Sequence, residues 1–293
     1  MKTKTIGINF IEAPVFEGSN SQGTELAYKT IKTAIIKNNN VNFCDYVETI
    51  VINNNNDSHG TKNINKVLTI CENIRSSVLE AFNKNIFPII VGGDHSIAMG
   101  SIAAVSEKYG VENSAIIYID GHCDINTERT SASHNIHGMP LGSSLGLCED
   151  TLKVGESKQK VLGDNIFIIG ARSIDDPEYE IIKNNSVHLY TNQKVTKEQL
   201  PQLFSVLKKS IGNKKVHVSF DVDSLDPSVL SSTGYIIPNG LSLDLVKEII
   251  EFSLKNLDVV SFEIVEYNPL LDLNKKDINV VVDILNLVRK SVL

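Results

Sequence analysis

The sequence predicts an α/β protein whose mostly parallel sheet is covered by helices on both faces. Short runs of consecutive apolar residues alternate with longer stretches in which apolar residues recur at helical spacing. The apolar runs are unbroken, which is typical of strands buried on both faces. The chain has 293 residues, of which 42% are hydrophobic and 22% charged, as expected of a globular protein with a large core.

The amino-terminal part has the least regular pattern. Residues 5–10 are β-branched and apolar and predict a first strand, and residues 25–37 predict a helix. A further strand is expected at residues 47–52, between two Asn-rich segments that we interpret as loops. Residues 64–82 have apolar side chains at spacings of three and four, which indicates an amphipathic helix.

From residue 87 onwards, strands and helices alternate. Strands are predicted at residues 87–91, 115–119, 165–170, 187–190, 216–220 and 259–265. Helices are predicted at residues 96–109, 177–183, 197–210, 243–254 and 278–292. This alternation is typical of a parallel sheet. Because no repeat or linker divides the chain, we expect a single domain over residues 1–293.

Charge and cysteine content narrow the classes of partner. A net charge of -7 disfavours nucleic acid and anionic membranes and suits a cationic substrate. The amino terminus lacks the pattern of a signal peptide, and no run approaches the roughly 18 apolar residues of a membrane span. The four cysteines show no CxxC spacing, which disfavours a zinc ribbon or a disulfide scaffold. We therefore expect a cytoplasmic protein with reduced cysteines.

The segment IDGHCDINTERTSASHNIHGMP, residues 119–140, carries the strongest chemical signal. Asp120, His122 and Asp124 fall at every second position after the predicted strand. In an extended strand, alternate side chains project from the same face, so we expect these three to converge. Two carboxylates at that place would repel each other unless a cation held them.

Other polar clusters follow other predicted strands. The clusters are residues 94–95, 120–124, 172–178, 221–226 and Glu266. Ligands of open α/β sheets bind beyond the carboxyl ends of the strands, so we expect these clusters to meet at one edge of the sheet. Two of these clusters have an alternative interpretation as helix caps. They are Asp94 with His95, and Asp221 with Asp223.

Taken together, the clusters form an oxygen-rich set of ligand types. The candidate metal ligands are His95, Asp120, His122, Asp124, Asp221 and Asp223. Carboxylates and imidazoles without a thiolate favour manganese over iron, cobalt, nickel or paired zinc. The set exceeds what one ion needs, so two ions with shared aspartates fit better. Such a pair can activate a bridging water, and hydrolysis is the expected chemistry.

Three motifs together resemble the ureohydrolases, the arginase and agmatinase family. They are GGDHS at residues 92–96, DGHCDINT at 120–127 and SFDVDSLDP at 219–227, and EIVEYNP at 263–269 extends the resemblance. The resemblance implies a three-layer α/β/α fold and a binuclear manganese centre. It also implies hydrolysis of a guanidinium group to urea and an amine, in a homo-oligomer, often a trimer or hexamer.

The resemblance further implies a role for each candidate ligand. His95, Asp120, Asp124 and Asp221 would bind one ion, and Asp120, His122, Asp221 and Asp223 the other. Asp120 and Asp221 would bridge the two ions. Asp124 would also accept a hydrogen bond from the metal-bound hydroxide. Glu266 would pair with the guanidinium group, which stays protonated at physiological pH.

The loop of residues 131–140 and the segment of residues 170–180 look closest to arginase. Asn126, Ser133 and Asn135 would contact the substrate α-carboxylate, Asp175 and Glu178 would bind its α-ammonium group, and His137 would be the proton shuttle. The expected reaction is hydrolysis of L-arginine to L-ornithine and urea. An agmatinase or another guanidino-acid hydrolase is the alternative, and a catalytically silent guanidino-binding homologue is a further one.

Some of these residues also have purely structural interpretations. From the sequence alone, His137 could be an ordinary loop histidine and Glu266 a surface glutamate. The pair Asp175 and Glu178 is also a good helix start, with acids near the positive end of the helix dipole.

Three features depart from the arginase pattern. Gly121 stands where alanine is usual, and Tyr235 stands where arginases commonly carry a threonine close to the guanidinium group. The amino-terminal third also lacks the Gly and Pro pattern of many arginases. These departures leave a different guanidino substrate open.

Overall fold

A computed structural model describes residues 5–19, 21–35, 42–44 and 60–293. The strands of this part are β1 (Ile8–Glu12), β2 (Asn42–Cys44), β3 (Phe87–Val91), β4 (Ser114–Ile119), β5 (Ile166–Ile169), β6 (His188–Tyr190), β7 (Lys215–Asp221) and β8 (Asp258–Val265). They form one sheet in the order β2-β1-β3-β8-β7-β4-β5-β6, and each described pairing is parallel. The predicted parallel sheet is therefore confirmed.

Helices cover both faces of this sheet. The α-helices of the described residues are α1 (Ala27–Ile35), α2 (Ile64–Asn83), α3 (Ala98–Tyr109), α4 (Pro140–Ser144), α5 (Asp176–Asn184), α6 (Leu200–Ile211), α7 (Leu243–Asn256) and α8 (Asp277–Val292). Apolar residues of α1, α6, α7 and α8 share one core with the sheet. Helices α2 to α5 contribute to the cores on the opposite face. The three-layer α/β/α prediction is confirmed.

Most predicted elements recur with small shifts at their ends. The first strand is an exception, since it pairs with β3 from Ile8 to Glu12 and so extends beyond its predicted end. Backbone pairing with β3 continues the strand through the polar residue Glu12. The helix predicted from residue 197 begins at Leu200, because Pro201 is tolerated in a first turn, where its missing N–H would have no partner.

Two short elements were not predicted. Strand β2 and helix α4 are too short for an apolar period to show in the sequence. The strand expected at residues 47–52 and the neighbouring Asn-rich loops lie outside the described residues. Within the described part, no helix is long and apolar enough to cross a membrane.

The strand order places the polar clusters next to one another. Strands β3, β8, β7, β4 and β5 are consecutive neighbours in the sheet. Because they run parallel, their carboxyl ends lie at the same edge. The five clusters predicted from the sequence follow these five ends, and that edge carries the candidate site.

Candidate metal centre and substrate cavity

The first ligand segment is a bend and not a continuation of β4. The strand ends at Ile119, and Asp124 has a left-handed backbone with φ of 48°. The expectation of an extended strand is therefore wrong, because the backbone turns. Asp120 Oδ1 accepts a hydrogen bond from His122 N at 2.6 Å, which closes the turn. Left-handed conformations outside glycine cost about 1–3 kcal/mol and concentrate at functional sites.

Asp94 and Asp221 both cap a short helical turn. The Asp94 side chain accepts from Ser96 N, as the cap interpretation predicts. Asp221 Oδ1 accepts from Asp223 N at 2.7 Å. Its other oxygen, Oδ2, lies 3.1 Å from His95 Nδ1. For Asp221, the cap and the ligand interpretations are therefore compatible.

Three carboxylates converge on one nitrogen of His95. The Oδ2 atoms of Asp120, Asp124 and Asp221 lie 2.9, 3.2 and 3.1 Å from His95 Nδ1. The other ring nitrogen, Nε2, lies 2.7 Å from Ser219 Oγ. All of these side chains are buried. Within the described structure, His95 Nδ1 and Asp120 Oδ2 have no hydrogen-bond partner of suitable geometry, as expected of atoms that bind a cation.

A second ligand group shares Asp120 with the first. His122 Nδ1 lies 3.0 Å from Asp223 Oδ2 and 3.5 Å from Asp120 Oδ1. The potential ligand atoms of His95, Asp120 and Asp221 lie within 4.8 Å of one another, and so do those of Asp120, His122 and Asp223. The donor set therefore fits two neighbouring cations, with Asp120 between them.

Electrostatics of the cluster also favour cations. Burial, followed by repulsion from Asp223 and Asp120, raises the pKa of Asp221 well above its usual range. Burial and repulsion from Asp120 likewise raise the pKa of Asp124. Burial opposes ionisation of Asp120, but contacts with His122 and His95 lower its pKa overall. Buried carboxylates of this density are unfavourable unless positive charge compensates them.

Tyr118 and Ser219 support the ligands from behind and were not singled out in the sequence. The Tyr118 hydroxyl donates to Asp124 Oδ2 at 2.9 Å, and its ring stacks on the His95 ring with centroids 4.3 Å apart. Both residues stand two positions before the first aspartate of a ligand motif. A polar group at an alternate position of an apolar strand is the signal that could have revealed them.

A buried polar network adjoins Ser219. His217 Nε2 lies 3.1 Å from Glu263 Oε1, and Ser101 Oγ donates to Glu263 Oε2 at 2.5 Å. His217 Nδ1 lies 2.8 Å from Ser261 Oγ. Ser219 and Glu263 are register partners across β7 and β8, so the network lies directly behind the first ligand group.

Glu266 and His137 are in direct contact. Glu266 Oε1 accepts from His95 N at 2.9 Å and lies 3.1 Å from His137 Nδ1. Burial lowers the pKa of His137, but Glu266, together with Asp124 and Asp94, raises it overall. Glu266 is buried, so it is not a surface glutamate, and its Oε2 has no hydrogen-bond partner among the described residues.

A cavity of about 300 Å³ opens beside these groups. It is lined by His122, Asp124, Asn126, Ser131, Ala132, Ser133, His137, Gly138, Ser173, Asp175, Glu178 and Tyr235. This lining contains three carboxylates and no lysine or arginine. The cavity therefore suits a cationic ligand.

Asp175 and Glu178 lie at the start of α5. Glu178 Oε2 accepts from Asp175 N at 2.9 Å, as in a capping box. Glu178 Oε1 accepts from Ile125 N at 3.1 Å, and Asn126 Nδ2 donates to Asp175 Oδ2 at 2.9 Å. Burial raises the pKa of Glu178 to about 7. The helix-start interpretation is correct, and the same two residues also line the cavity.

Of the residues predicted to contact the substrate, Glu266 and Asn135 are absent from the described lining. Asn135 is held by other partners. Its Nδ2 donates to Ser19 O, and its Oδ1 accepts from Lys62 Nζ, both at 3.3 Å. Ser133 lines the cavity, and its hydroxyl accepts from Asn135 N at 3.2 Å. Asn135 therefore lies behind Ser133.

Arg172 joins the loops that follow β5 and β7. Its guanidinium group donates to the carbonyls of Asp223, Ile237 and Pro238 at 2.7, 2.8 and 3.1 Å. A Cβ atom on Gly121 would lie 2.8 Å from Arg172 Nη1 and 2.9 Å from Asp223 Oδ1. The missing side chain at Gly121 thus gives room to both groups, which accounts for the first departure from the family pattern.

The fold and this site define a three-layer α/β/α protein with a candidate two-metal centre at the edge of its sheet. A model of the arginase family matches residues 6–288. The chain is 34% identical to an arginase of Bacillus caldovelox over 75% of this chain and 74% of that one. It is 30% identical to an arginase of Staphylococcus aureus strain MSSA476 over 93% of each. The chain belongs to the arginase family, as the motifs indicated.

A solved structure agrees with this assignment. The crystal structure of arginase from Bacillus cereus superposes with a TM-score of 0.87 at 28% identity. The match covers 97% of this chain and 98% of that one. The protein is thus a metal-dependent hydrolase of the ureohydrolase type.

Proposed function

We propose that the protein is an arginase that hydrolyses L-arginine to L-ornithine and urea. The observation that carries this proposal is the acidic cavity, whose lining includes the candidate ligands His122 and Asp124 as well as Asp175 and Glu178. L-Arginine is cationic at both its guanidinium and its α-ammonium end, which matches this distribution of charge. The arginase relatives support the same conclusion.

The proposed metal ligands are those predicted from the sequence: His95, Asp120, His122, Asp124, Asp221 and Asp223. Their donor set, with carboxylates and imidazoles but no thiolate, suits two manganese ions. When bound, such a pair supplies Lewis acidity and lowers the pKa of a metal-bound water towards neutral pH. We propose that Asp120 and Asp221 would both help to hold the ions.

The guanidinium end is assigned to Glu266, His137 and Asp124. Glu266 Oε2 is a buried acceptor without a partner among the described residues, and we propose that it orients the guanidinium group. Because Glu266 engages His137 Nδ1, the remaining nitrogen Nε2 is left to protonate the departing amine. Asp124 would help to hold a metal ion, and its carboxylate would orient the attacking water.

The amino acid end of the substrate is assigned to other residues of the cavity lining. We propose that Asn126 and Ser133 contact the α-carboxylate and that Asp175 and Glu178 bind the α-ammonium group. Asn135 acts on the carboxylate through Ser133, whose hydroxyl accepts its backbone N–H.

We further propose that the whole chain forms one domain that acts in the cytoplasm as a homo-oligomer, a trimer or hexamer. The described cysteine side chains, at Cys71, Cys123 and Cys148, are free and buried, which supports a reducing compartment. Exposed leucines such as Leu273, at 87% exposure, support association with another copy. The charge of -7 supports a small cationic partner over nucleic acid or membrane.

A substrate comparison tests the proposed function. Urea release is measured from L-arginine, agmatine and 4-guanidinobutyrate with manganese-loaded protein. We expect the highest kcat/KM for L-arginine, because only this compound uses both the carboxylate and the ammonium contacts. A higher kcat/KM for agmatine would make the protein an agmatinase and would contradict the assignment of Asn126 and Ser133.

A further inference from the structure

Asp94 is a buried carboxylate beside the candidate metal centre that the proposed reaction does not use. It follows β3 and directly precedes the candidate ligand His95, and its side chain is fully buried. Its Oδ2 atom accepts from the backbone N–H groups of Gly18 and Ser19 at 2.8 and 3.1 Å. Its Oδ1 atom accepts from Ser96 N at 3.1 Å and from Ser96 Oγ at 2.5 Å. Donors from two distant parts of the chain thus hold this one carboxylate in place.

Residues 15–19, here called the amino-terminal loop, lie directly against Asp94. The Asp94 backbone N–H donates to Val15 O at 3.0 Å. A Cβ atom on Gly18 would lie 2.5 Å from Asp94 Oδ1 and 2.7 Å from Ser96 Oγ. A side chain at position 18 would therefore push the loop away from the carboxylate.

The amino-terminal loop in turn holds the segment that carries His137. His137 N donates to Gly18 O at 3.2 Å, and Asn135 Nδ2 donates to Ser19 O at 3.3 Å. Gly18 O and Ser19 N belong to the same peptide unit, which is planar and rigid. Asp94 binds the N–H of this unit, and His137 binds its carbonyl. The place of the carboxylate is thereby passed on to the backbone of His137.

The His137 ring is held between this backbone and Glu266. Its Nδ1 atom lies 3.1 Å from Glu266 Oε1, which also accepts from His95 N at 2.9 Å. Glu266 therefore fixes one edge of the ring, and the backbone of residue 137 fixes the point from which the side chain extends. The alignment of a reacting group matters, since a displacement of about 1 Å can slow a reaction about 100-fold.

We propose that Asp94 is a positioning residue that sets the place of His137 through the amino-terminal loop. This inference rests on the proposed function, because it takes His137 to be the proton donor of the reaction. Asp94 does not touch the substrate in this role. Its oxygens, which accept the loop N–H groups, are what the role requires, and its charge is not.

A double-mutant cycle tests whether Asp94 acts through His137. kcat and KM for L-arginine are measured with manganese-loaded wild type, Asp94→Ala, His137→Ala and the double variant. We expect Asp94→Ala to lower kcat by about tenfold or more with little change in KM. The double variant should be no slower than His137→Ala, because the group that Asp94 positions is already absent. Losses that multiply would show that Asp94 acts on another group, such as the adjacent His95, and would overturn the proposal.

Two further variants separate position from charge. Asp94→Asn keeps an oxygen that can accept from both loop N–H groups, so it should keep most of the wild-type kcat. Gly18→Ala leaves the carboxylate in place but displaces the loop, so it should lower kcat as Asp94→Ala does. The proposal is wrong if Asp94→Asn is as slow as Asp94→Ala, or if Gly18→Ala is as fast as wild type.

Amide hydrogen exchange requires no turnover and separates this inference from the proposed function. We expect faster exchange over residues 131–138 in Asp94→Ala than in wild type; should this variant not fold, Gly18→Ala takes its place. Asp272→Ala is the matched control, because Asp272 is also buried and accepts from Lys276 N and Ile278 N. It should leave exchange over residues 131–138 unchanged.

The combined outcomes are distinct. If wild type releases no urea from L-arginine but exchange over residues 131–138 rises in Asp94→Ala and not in Asp272→Ala, the reaction is wrong and the positioning role stands. If L-arginine is hydrolysed and Asp94→Ala leaves this exchange unchanged, the positioning role is overturned.

Discussion

At the residue scale, the hydroxyl of Tyr118 acts on the candidate metal centre through a single contact. It donates to the same Asp124 oxygen that approaches His95. Tyr118→Phe removes this bond without changing the ring that stacks on His95. A hydrogen bond to a charged group contributes about 1.5–3 kcal/mol, so we expect kcat for L-arginine to fall about tenfold or more while KM changes little. Calorimetry should show weaker manganese binding.

A matched control is available elsewhere in the chain. Tyr267 donates to Asp272 Oδ2 at 2.9 Å and is also buried. Tyr267→Phe should lower thermal stability about as much as Tyr118→Phe does, because each variant loses one buried hydrogen bond. It should leave manganese affinity unchanged. Equal manganese affinity in wild type and Tyr118→Phe would show that Asp124 keeps its position without the hydroxyl.

Asp175 allows the amino acid end of the substrate to be tested by one substitution. It is exposed at the cavity wall and accepts from Asn126. We expect Asp175→Ala to raise KM for L-arginine by about tenfold or more, the value of a lost charged hydrogen bond. KM for 5-guanidinopentanoate, which has no α-amino group, should change far less. Asp176→Ala, at the next exposed position, is the control, and equal effects on both substrates would refute the assignment.

At the element scale, Arg172 holds the loop after β7 against the loop after β5. Gly121 makes this contact possible, because a Cβ there would approach both Arg172 and Asp223. We therefore expect the effects of Gly121→Ala and Arg172→Lys on unfolding free energy to be coupled, by about 0.5–3 kcal/mol. The alanine should cost more stability beside arginine than beside the more slender lysine. Chemical denaturation of the double-mutant cycle measures this, and strictly additive effects would argue against the shared space.

Much of the fold could be predicted because buried parallel strands leave unbroken apolar runs. Strand β3 was predicted at its observed bounds, and the polar clusters were assigned to the correct strand ends. The position of β8 between β3 and β7 has no local signal, since strand order depends on contacts between distant parts of the chain. Short elements such as α4 contain too few residues for a period to appear.

Some parts of the candidate site could likewise be predicted from the sequence, and others could not. The ligand pairs were recognisable because carboxylates and imidazoles interrupt apolar strands at their ends. The bend at residues 120–124 was missed, since alternation was extended past the last paired residue, Ile119. The Arg172 contacts could not be predicted either, because a side chain that binds distant backbone carbonyls requires no residue type at those positions.

At the scale of the whole molecule, Lys160 links stability to pH away from the candidate site. It is 5% exposed, and its Nζ has no hydrogen-bond partner among the described residues. Burial, with a smaller effect of Lys153, lowers its pKa to about 8. The pKa of a lysine in the unfolded chain is about 10.4. Between about pH 8 and this value, the folded protein therefore binds fewer protons than the unfolded chain. Its unfolding free energy should therefore rise with pH in this window relative to a variant without the amine.

Lys160→Met isolates this effect. Removal of a buried, unpartnered ammonium group should stabilise the protein by about 1–3 kcal/mol at pH 7. This advantage should shrink as pH rises from about 8 to about 10.4. Urea denaturation at several pH values measures the difference. Lys158→Met replaces an exposed lysine and serves as the control; a pH-independent advantage of Lys160→Met would contradict the proposed cause.

The central claim is that the paired ligand groups and the acidic cavity together form an arginase. The most direct test strips the protein of metal and follows urea release from L-arginine as manganese is added. The rate should be negligible at first and level off near two manganese equivalents per chain, one for each ligand group. Absence of urea at every manganese concentration, or a rate that does not depend on manganese, would contradict the claim.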